Sequence, residues 1–323
     1  MKPHSAFFCR SEETIRRVYT PEQVAEIGSL TELHSGVFDE NSLGKEDLSD
    51  IELIFSTWGM PSLSEEQLAL LPKLKAVFYA AGATDGFARP FFARDVKVLS
   101  AWLANAIPVA EFCAAQIVLA LKGYFRNTRM IGCKADWGKA HAAAGPGCYG
   151  ETVALIGAGA IATRTRELLE KYSINVIIIP SRAERRTVSL EEAFAKSFVI
   201  SNHLPNRDDN IGVLNGKLFA SMREGAVFIN TGRGAQVNET EMIEVLEKRP
   251  DLTALLDVMH PEPPEEGSKL YSMPNVRLST HIAGSINDEV HRMADYMIDE
   301  LKRYLAGEEM IYEVHESMLL TSR

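Results

Sequence analysis

TVALIGAGAIA, residues 152–162, runs from a β-branched strand through two glycines into the start of a helix. Gly157 permits a tight turn, and Gly159 lets the backbone come close to a pyrophosphate. A helix is expected over 163–172, and its first turn would offer unpaired N–H groups and the positive end of a dipole. Ala162 holds the third position of the pattern and is small enough for helix and strand to pack closely. G-x-G alone is weak evidence; strand, turn and helix in that order make it a dinucleotide turn. A tight turn with no ligand is the blander reading of the same residues.

Around this turn, short β-branched runs alternate with helical stretches, the pattern of α/β architecture with parallel strands. Downstream, strands are expected at 152–156, 175–179, 198–201, 226–230, 253–258 and 276–279, enough for a doubly wound sheet. Upstream, 51–56, 76–79 and 96–99 read as strands. Ser64 caps a helix over 64–71, with Gln67 completing a capping box and Pro72 ending it. A long buried helix is expected over 108–126, an irregular Gly/Ala-rich stretch over 126–149, and a last helix over 287–306 stopped by Gly307. The strand at 198 arrives early, which points to a short helix missing from the cofactor domain. The economical arrangement has two domains, one from 1–101 plus 285–323 and one from 102–284, with hinges near 100–104 and 283–285.

The chain's 323 residues suit two domains, and 46% hydrophobic with 24% charged residues is an ordinary globular balance. A net charge of −10 argues against broad binding to a nucleic-acid backbone. Cys9, Cys113, Cys133 and Cys148 form no CxxC pair and no His-containing metal spacing, so reduced cysteines are expected. His141, His203 and His260 are likewise too irregularly spaced for a metal, and none is expected. The apolar run 112–121 is shorter than the ~18–20 residues of a bilayer span, and 1–17 lacks the pattern of a signal peptide. A soluble, cytoplasmic protein is expected.

An NAD site places Asp or Glu at the end of the strand after the glycine turn. Here that strand ends in Ile179, Pro180 and Ser181, none of them acidic, followed by Arg182, Arg185 and Arg186. Guanidinium groups suit a phosphate, so the residues favour NADP(H), with Glu184 within the cluster as a counter-argument.

Three later strands each end on a residue suited to chemistry. AVFIN leads to Arg233, TALLDV to Glu262, and VRLS to His281. In a parallel sheet all three fall at the carboxyl edge, where ligands bind. Hydride transfer to a carbonyl needs a proton donor, for which His is suited; a carboxylate can hold the imidazole, and Arg can pair with a substrate carboxylate. Alone, each could be an ordinary strand-end or loop residue.

Together with the segments NHLP (202–205), INTGRG (229–234), DVMHPEP (257–263), THIAG (280–284), AAGATD (80–85) and NAIPVAE (105–111), these residues make the chain resemble the D-isomer-specific 2-hydroxyacid dehydrogenases over most of its length. The resemblance implies a Rossmann-type cofactor domain inserted in a flavodoxin-like substrate domain. It implies His281 as acid/base, Glu262 as its orienting carboxylate and Arg233 as substrate arginine. Backbone N–H groups around Ala81, Gly82 and Ala83 would hold the substrate carboxylate. NAD(P) contacts are implied for Gly157, Gly159, Ala160, Ile161, Ser181, Arg182, His203, Pro205, Thr231, Gly232, Asp257 and Gly284, with Asp257 facing the carboxamide. Glu262 stands where the related formate dehydrogenases carry Gln, which argues against formate.

The activity so implied is reversible reduction of a 2-oxo acid to a D-2-hydroxy acid. A homodimer is expected on separate grounds: the long helix from Pro108 with its Gly/Ala-rich extension could pack across a two-fold, and dimers are the commonest symmetric assembly. A dinucleotide-sensing, non-catalytic scaffold on the same fold is the alternative. Trp58, Met60 and Trp102 could line a pocket or simply pack, so the substrate side chain stays open.

Overall fold

The computed structural model describes residues 2–319. In chain order the strands are β1 (His4–Phe8), β2 (Glu32–Phe38), β3 (Leu53–Ser56), β4 (Ala76–Tyr79) and β5 (Lys97–Ser100), then β6 (Thr152–Ile156), β7 (Asn175–Ile179), β8 (Val199–Asn202), β9 (Val227–Asn230), β10 (Thr253–Leu256) and β11 (Val276–Leu278), and finally β12 (Glu313–Val314). They form two six-stranded sheets, β12-β5-β4-β3-β1-β2 and β11-β10-β9-β8-β6-β7. Every pairing is parallel except β12 with β5. Each sheet is buried by helices on its faces, as parallel strands require.

One unit runs up to Asn105 and resumes at Ser285; the other is Ala106–Gly284. The division lies four residues beyond the expected 101/102, because Ala101 and Ala104 still belong to the first unit's core. Val109 and Cys113 instead pack with Ala283 of the second. In the first unit, Ser64 and Gln67 make the expected capping box, Ser64 Oγ accepting from Gln67 N at 3.2 Å and Gln67 Oε1 from Ser64 N at 2.9 Å. The helix it starts is short, Glu65–Leu68. The helix expected over 287–306 is His291–Ala306, preceded by a single 3-10 turn and stopped by Gly307 at φ +70°. Its Glu300, wholly buried, accepts the N–H groups of Ile311 and Tyr312 and so turns the tail back toward β5.

Three expectations for the middle of the chain need correction. The long helix is Trp102–Leu121 rather than 108–126, with Pro108 inside it. That helix is long and apolar enough to cross a membrane by length and composition, beyond the run at 112–121. Its Ile117, Ala120 and Leu121 lie in the core formed with Val153, Leu155 and Val227. It ends because Gly123 turns left-handed at φ +73°, after which a separate helix, Tyr124–Arg129, begins. A further helix, Trp137–Ala142, lies in the stretch read as irregular.

Between β7 and β8 stand a 3-10 turn and one α-helix, Leu190–Lys196, with Ser189 Oγ capping Glu192 N at 3.1 Å. The chain is short at that point because β7 is the sheet edge, where the common dinucleotide-binding order 3-2-1-4-5-6 has one more strand.

A Cβ at Gly123 would overlap Gly145 N, and the positive φ disfavours any other residue. We expect Gly123→Ala to cost about 2 kcal/mol or more, lowering the thermal midpoint of the unit by roughly 4–8 °C. A calorimetric midpoint equal to that of the unaltered chain would remove this account of the helix break.

Candidate active site

β10 and β11 run side by side, with Leu256 opposite Leu278, so the segments leaving them start as neighbours. Asp257, immediately after β10, is buried, 2% exposed. Its Oδ1 accepts from Ser279 Oγ at 2.6 Å and Ile282 N at 2.9 Å; its Oδ2 accepts from Ala283 N at 2.9 Å. Its backbone carbonyl accepts from His281 N at 3.1 Å. Four hydrogen bonds thus shape the turn that carries His281, a residue held at φ +58°. Non-glycine residues in that region carry strain of order 1–3 kcal/mol, and persist where the surroundings over-determine them. From this turn the His281 ring reaches Glu262, with Nδ1 2.7 Å from Oε1. With Nδ1–H donated to the carboxylate, Nε2 is the atom left to exchange a proton.

Arg233 lies on the turn after β9. A buried amide cluster builds that turn: Asn202 Nδ2 donates to Asn230 Oδ1 at 2.9 Å and to Gln236 Oε1 at 2.6 Å. Asn230 Oδ1 also accepts from Gly232 N, and Gln236 Oε1 from Arg233 N, each at 3.1 Å. Gln236 Nε2 in turn donates to the carbonyls of Leu204 and Pro205. One network therefore shapes both the 231–236 and 203–205 turns. A Cβ on Gly234 would overlap the backbone of Met259, so this turn also lies directly against the one bearing Glu262. The Arg233 side chain is exposed and donates to Gly232 O at 2.8 Å; the structure brings His281 and Glu262 into direct contact, and Arg233 bonds to neither. Asn202, Asn230 and Gln236 were not singled out from the sequence as positioning residues, though the first two lie within quoted motifs.

The glycine turn fits a dinucleotide. Gly157 has φ +120°, and a Cβ there would overlap His203 O. Gly159 has open space beside it and starts the helix Ala160–Leu169 with no side-chain cap, so no capping side chain occupies the first-turn N–H groups, the arrangement that suits an anion. The helix begins three residues earlier than expected, directly on the turn. Thr231 Oγ1 stands 3.2 Å from Cys113 Sγ and 3.5 Å from His203 Nδ1. His203 Nε2 is buried with no hydrogen-bond partner, an orphan that a bound polar ligand would satisfy. Burial pushes the Cys113 thiol up to about 12, so it is no nucleophile. All four cysteines are free. Of the other implied contacts, Pro205 and Thr231 lie on these same turns, while Gly284 ends the unit.

At the end of β7, Ile179 points into the core and offers nothing to a ribose. Ser181 Oγ lies 3.4 Å from Asn210 Oδ1. Arg182 and Arg185 are exposed. Arg186 is committed elsewhere: its Nε donates to Pro180 O at 2.8 Å and its Nη2 to Ser181 O at 2.6 Å. Arg207, unnoticed in the sequence, forks onto Asp209 and holds that carboxyl below its usual range.

In the first unit, Ser100 Oγ donates to the carbonyls of Ala81 and Gly82 at 2.8 and 2.6 Å. Ala81 N–H is already spent on Tyr79 O at 2.8 Å; among the described residues, those of Gly82 and Ala83 have no partner. Of the three N–H groups expected to hold a carboxylate, two are thus left without a partner among the described residues. Met60 is core, and Trp58 packs against both faces of the first sheet under Arg17.

Residues 115–283, just over half of the chain, match the family described as D-isomer specific 2-hydroxyacid dehydrogenase, NAD binding domain. The chain belongs to that family. It is 34% identical over 142 residues to "Putative 2-hydroxyacid dehydrogenase YoaD" of Bacillus subtilis, a match covering 42% of this chain and 41% of that one. It is 26% identical over 258 residues to glycerate dehydrogenase of Methylorubrum extorquens, covering 75% and 79%. The structure of a phosphoglycerate oxidoreductase from Rhizobium etli superposes with a TM-score of 0.80 at 20% identity, covering 98% of this chain and all of that one. At that identity the likeness shows the fold.

Burial pushes His203 down to about 4 from its ordinary 6.5. The unfolded chain takes up this proton near 6.5 and the folded chain only near 4, so between those values the unfolded state binds more protons. Stability therefore falls as pH drops through that window, by about 3 kcal/mol from this group. His203→Gln is expected to shrink the difference in urea-unfolding free energy between pH 7 and pH 4.5 by roughly 2–3 kcal/mol. An equal difference in both proteins would mean that the imidazole is not buried uncharged.

Proposed function

We propose that this chain is an NAD(P)-dependent D-2-hydroxyacid dehydrogenase, interconverting a 2-oxo acid and the corresponding D-2-hydroxy acid. The observation that carries the reading is the 2.7 Å pair of His281 Nδ1 and Glu262 Oε1 at the carboxyl edge of a sheet whose first turn suits a dinucleotide. The nicotinamide cofactor, when bound, supplies or receives the hydride at the substrate's C2. His281 Nε2 gives a proton to the carbonyl oxygen in reduction and takes it from the hydroxyl in oxidation. Glu262 aims the ring and fixes the nitrogen that exchanges. Arg233, free to swing from its contact with Gly232 O, pairs with the substrate carboxylate. Asp257 acts mainly through the His281 turn, three of its carboxylate's acceptor positions being taken, and offers what remains to the carboxamide.

In this reading 106–284 is the cofactor domain, and the remainder is the substrate domain, where Gly82 and Ala83 N–H receive a carboxylate. The absence of an acid at Ile179, with Arg182 and Arg185 exposed beyond it, supports NADP(H). Free cysteines fit a reducing compartment, the cytoplasm. Trp137, 68% exposed, and Tyr149, 92% exposed, with Leu119, Tyr124 and Ile131, support a homodimer through 119–149.

The purified chain, offered NADPH or NADH with glyoxylate, hydroxypyruvate, pyruvate and bulkier 2-oxo acids, is expected to oxidise reduced cofactor. His281→Ala should lower kcat by roughly 10²–10⁴ with cofactor Kd unchanged. Cofactor binding without turnover of any panel member would favour the non-catalytic scaffold.

Arg182→Ala with Arg185→Ala should weaken NADPH about tenfold or more and leave NADH alone; equal losses for both would return the site to NAD. Light scattering should give twice the chain mass, and Trp137→Glu should halve it. A monomeric parent would refute the dimer.

A further inference from the structure

The first sheet gathers a second set of titratable side chains at its amino-terminal edge, opposite to where parallel sheets bind their ligands. His4 opens β1, and Glu32 on β2 pairs directly across from it. His34 is two residues along β2, so strand alternation returns it to the face of Glu32. Asp50 lies just before β3, the strand on the other side of β1. Asp50 Oδ2 is 3.0 Å from His4 Nδ1 and 3.4 Å from His34 Nε2. Suitable ligand atoms of His4, His34 and Asp50 lie within 4.8 Å of one another.

Two ligands on a tetrahedral ion with bonds of 2.0–2.1 Å stand about 3.3–3.4 Å apart. The two measured separations straddle that value. The other ring nitrogen of His4, Nε2, faces Glu32 Oε2 at 3.8 Å. That is the outer carboxylate by which metal-bound histidines are usually oriented. Asp50 Oδ1 is buried and has no hydrogen-bond partner among the described residues, so this oxygen is not satisfied by its surroundings. The two carboxylates bring negative charge to the cluster, which attracts a cation. Two imidazoles and a carboxylate suit Zn²⁺ and its neighbours; Ca²⁺ and Mg²⁺ prefer all-oxygen sites.

We propose that His4, His34 and Asp50 bind one divalent transition-metal ion of the zinc class, oriented through Glu32, with water completing the shell. Such an ion would tie the sheet-edge strand β2 to β1 and to the segment entering β3. Its effect would be on the stability of the first unit, and it takes no part in the chemistry proposed above. The expectation of no metal rested on spacing along the chain, which cannot register residues that meet only across strands.

The test is titration of the full, chelator-stripped chain with Zn²⁺ against a competing dye, and with Co²⁺ followed by its visible absorption. One ion per chain with micromolar or tighter Kd is expected, together with a rise in thermal midpoint. His34→Ala and Asp50→Asn should each weaken binding by more than the roughly 10–100-fold typical of losing an outer partner, and Glu32→Gln by about that amount. Cys133→Ser, which removes the exposed thiol, should bind as the parent does. Far-UV circular dichroism and a cooperative thermal transition like the metal-free parent's report that the variants fold. No stoichiometric binding would leave the cluster a plain hydrogen-bonded group and overturn the proposal. Undiminished binding in His34→Ala and Asp50→Asn would overturn it as well, by placing the ion elsewhere.

Discussion

The carboxylate of Asp257 is the constraint on which the candidate site depends. Buried just after β10, it takes its hydrogen bonds from the turn after β11. Leaving such a group unpaired would cost several kcal/mol, so the turn has little freedom to adopt another shape. This explains how His281 can sit at a positive φ and present its ring to Glu262. The His281–Glu262 pair is exposed, but the framework that aims it is not.

The same principle operates at the neighbouring turns with amides in place of a carboxylate. Asn202, Asn230 and Gln236 are buried and bonded mainly to one another and to backbone. A fully satisfied polar network in a low-dielectric interior is rigid and specific in geometry. Glycine makes the close approaches possible: at Gly232 a Cβ would sit 2.8 Å from both Asn202 Nδ2 and Gln236 Oε1. The Arg233 turn, the 203–205 turn and the dinucleotide turn are thus held as one assembly at a single sheet edge. The two edges of the molecule's sheets then differ in kind. Carboxyl edges carry buried amides, backbone donors and the His281–Glu262 pair, while the amino edge of the first sheet carries imidazoles and carboxylates with few backbone partners.

Local signals in the chain were sufficient for much of this architecture. The strands 76–79, 152–156 and 175–179 coincide with β4, β6 and β7 because β-branched runs bounded by turn residues have one good conformation. The Ser64–Gln67 capping box and the Gly307 stop are likewise local chemistry. The strand ends bearing Arg233, Glu262 and His281 could be placed at one edge because parallel topology leaves no other arrangement. β1 and β2 escaped notice: β2, ELHSGVF, is half-polar with a glycine inside it, and its place comes from pairing with β1.

What only the tertiary structure decided were distances between residues remote in sequence. Nothing local says that Arg186 spends its guanidinium on Pro180 and Ser181, that Ala81 N–H is already bonded, or that Trp102 begins the long helix ahead of Pro108. His4, His34 and Asp50 have no recognisable spacing, and meet because β1 lies between β2 and β3. Composition, periodicity and capping act over a few residues and so specify elements and their order. Hydrogen-bond partners of buried groups and the meeting of side chains across strands depend on packing, which exists only once the sheets have formed.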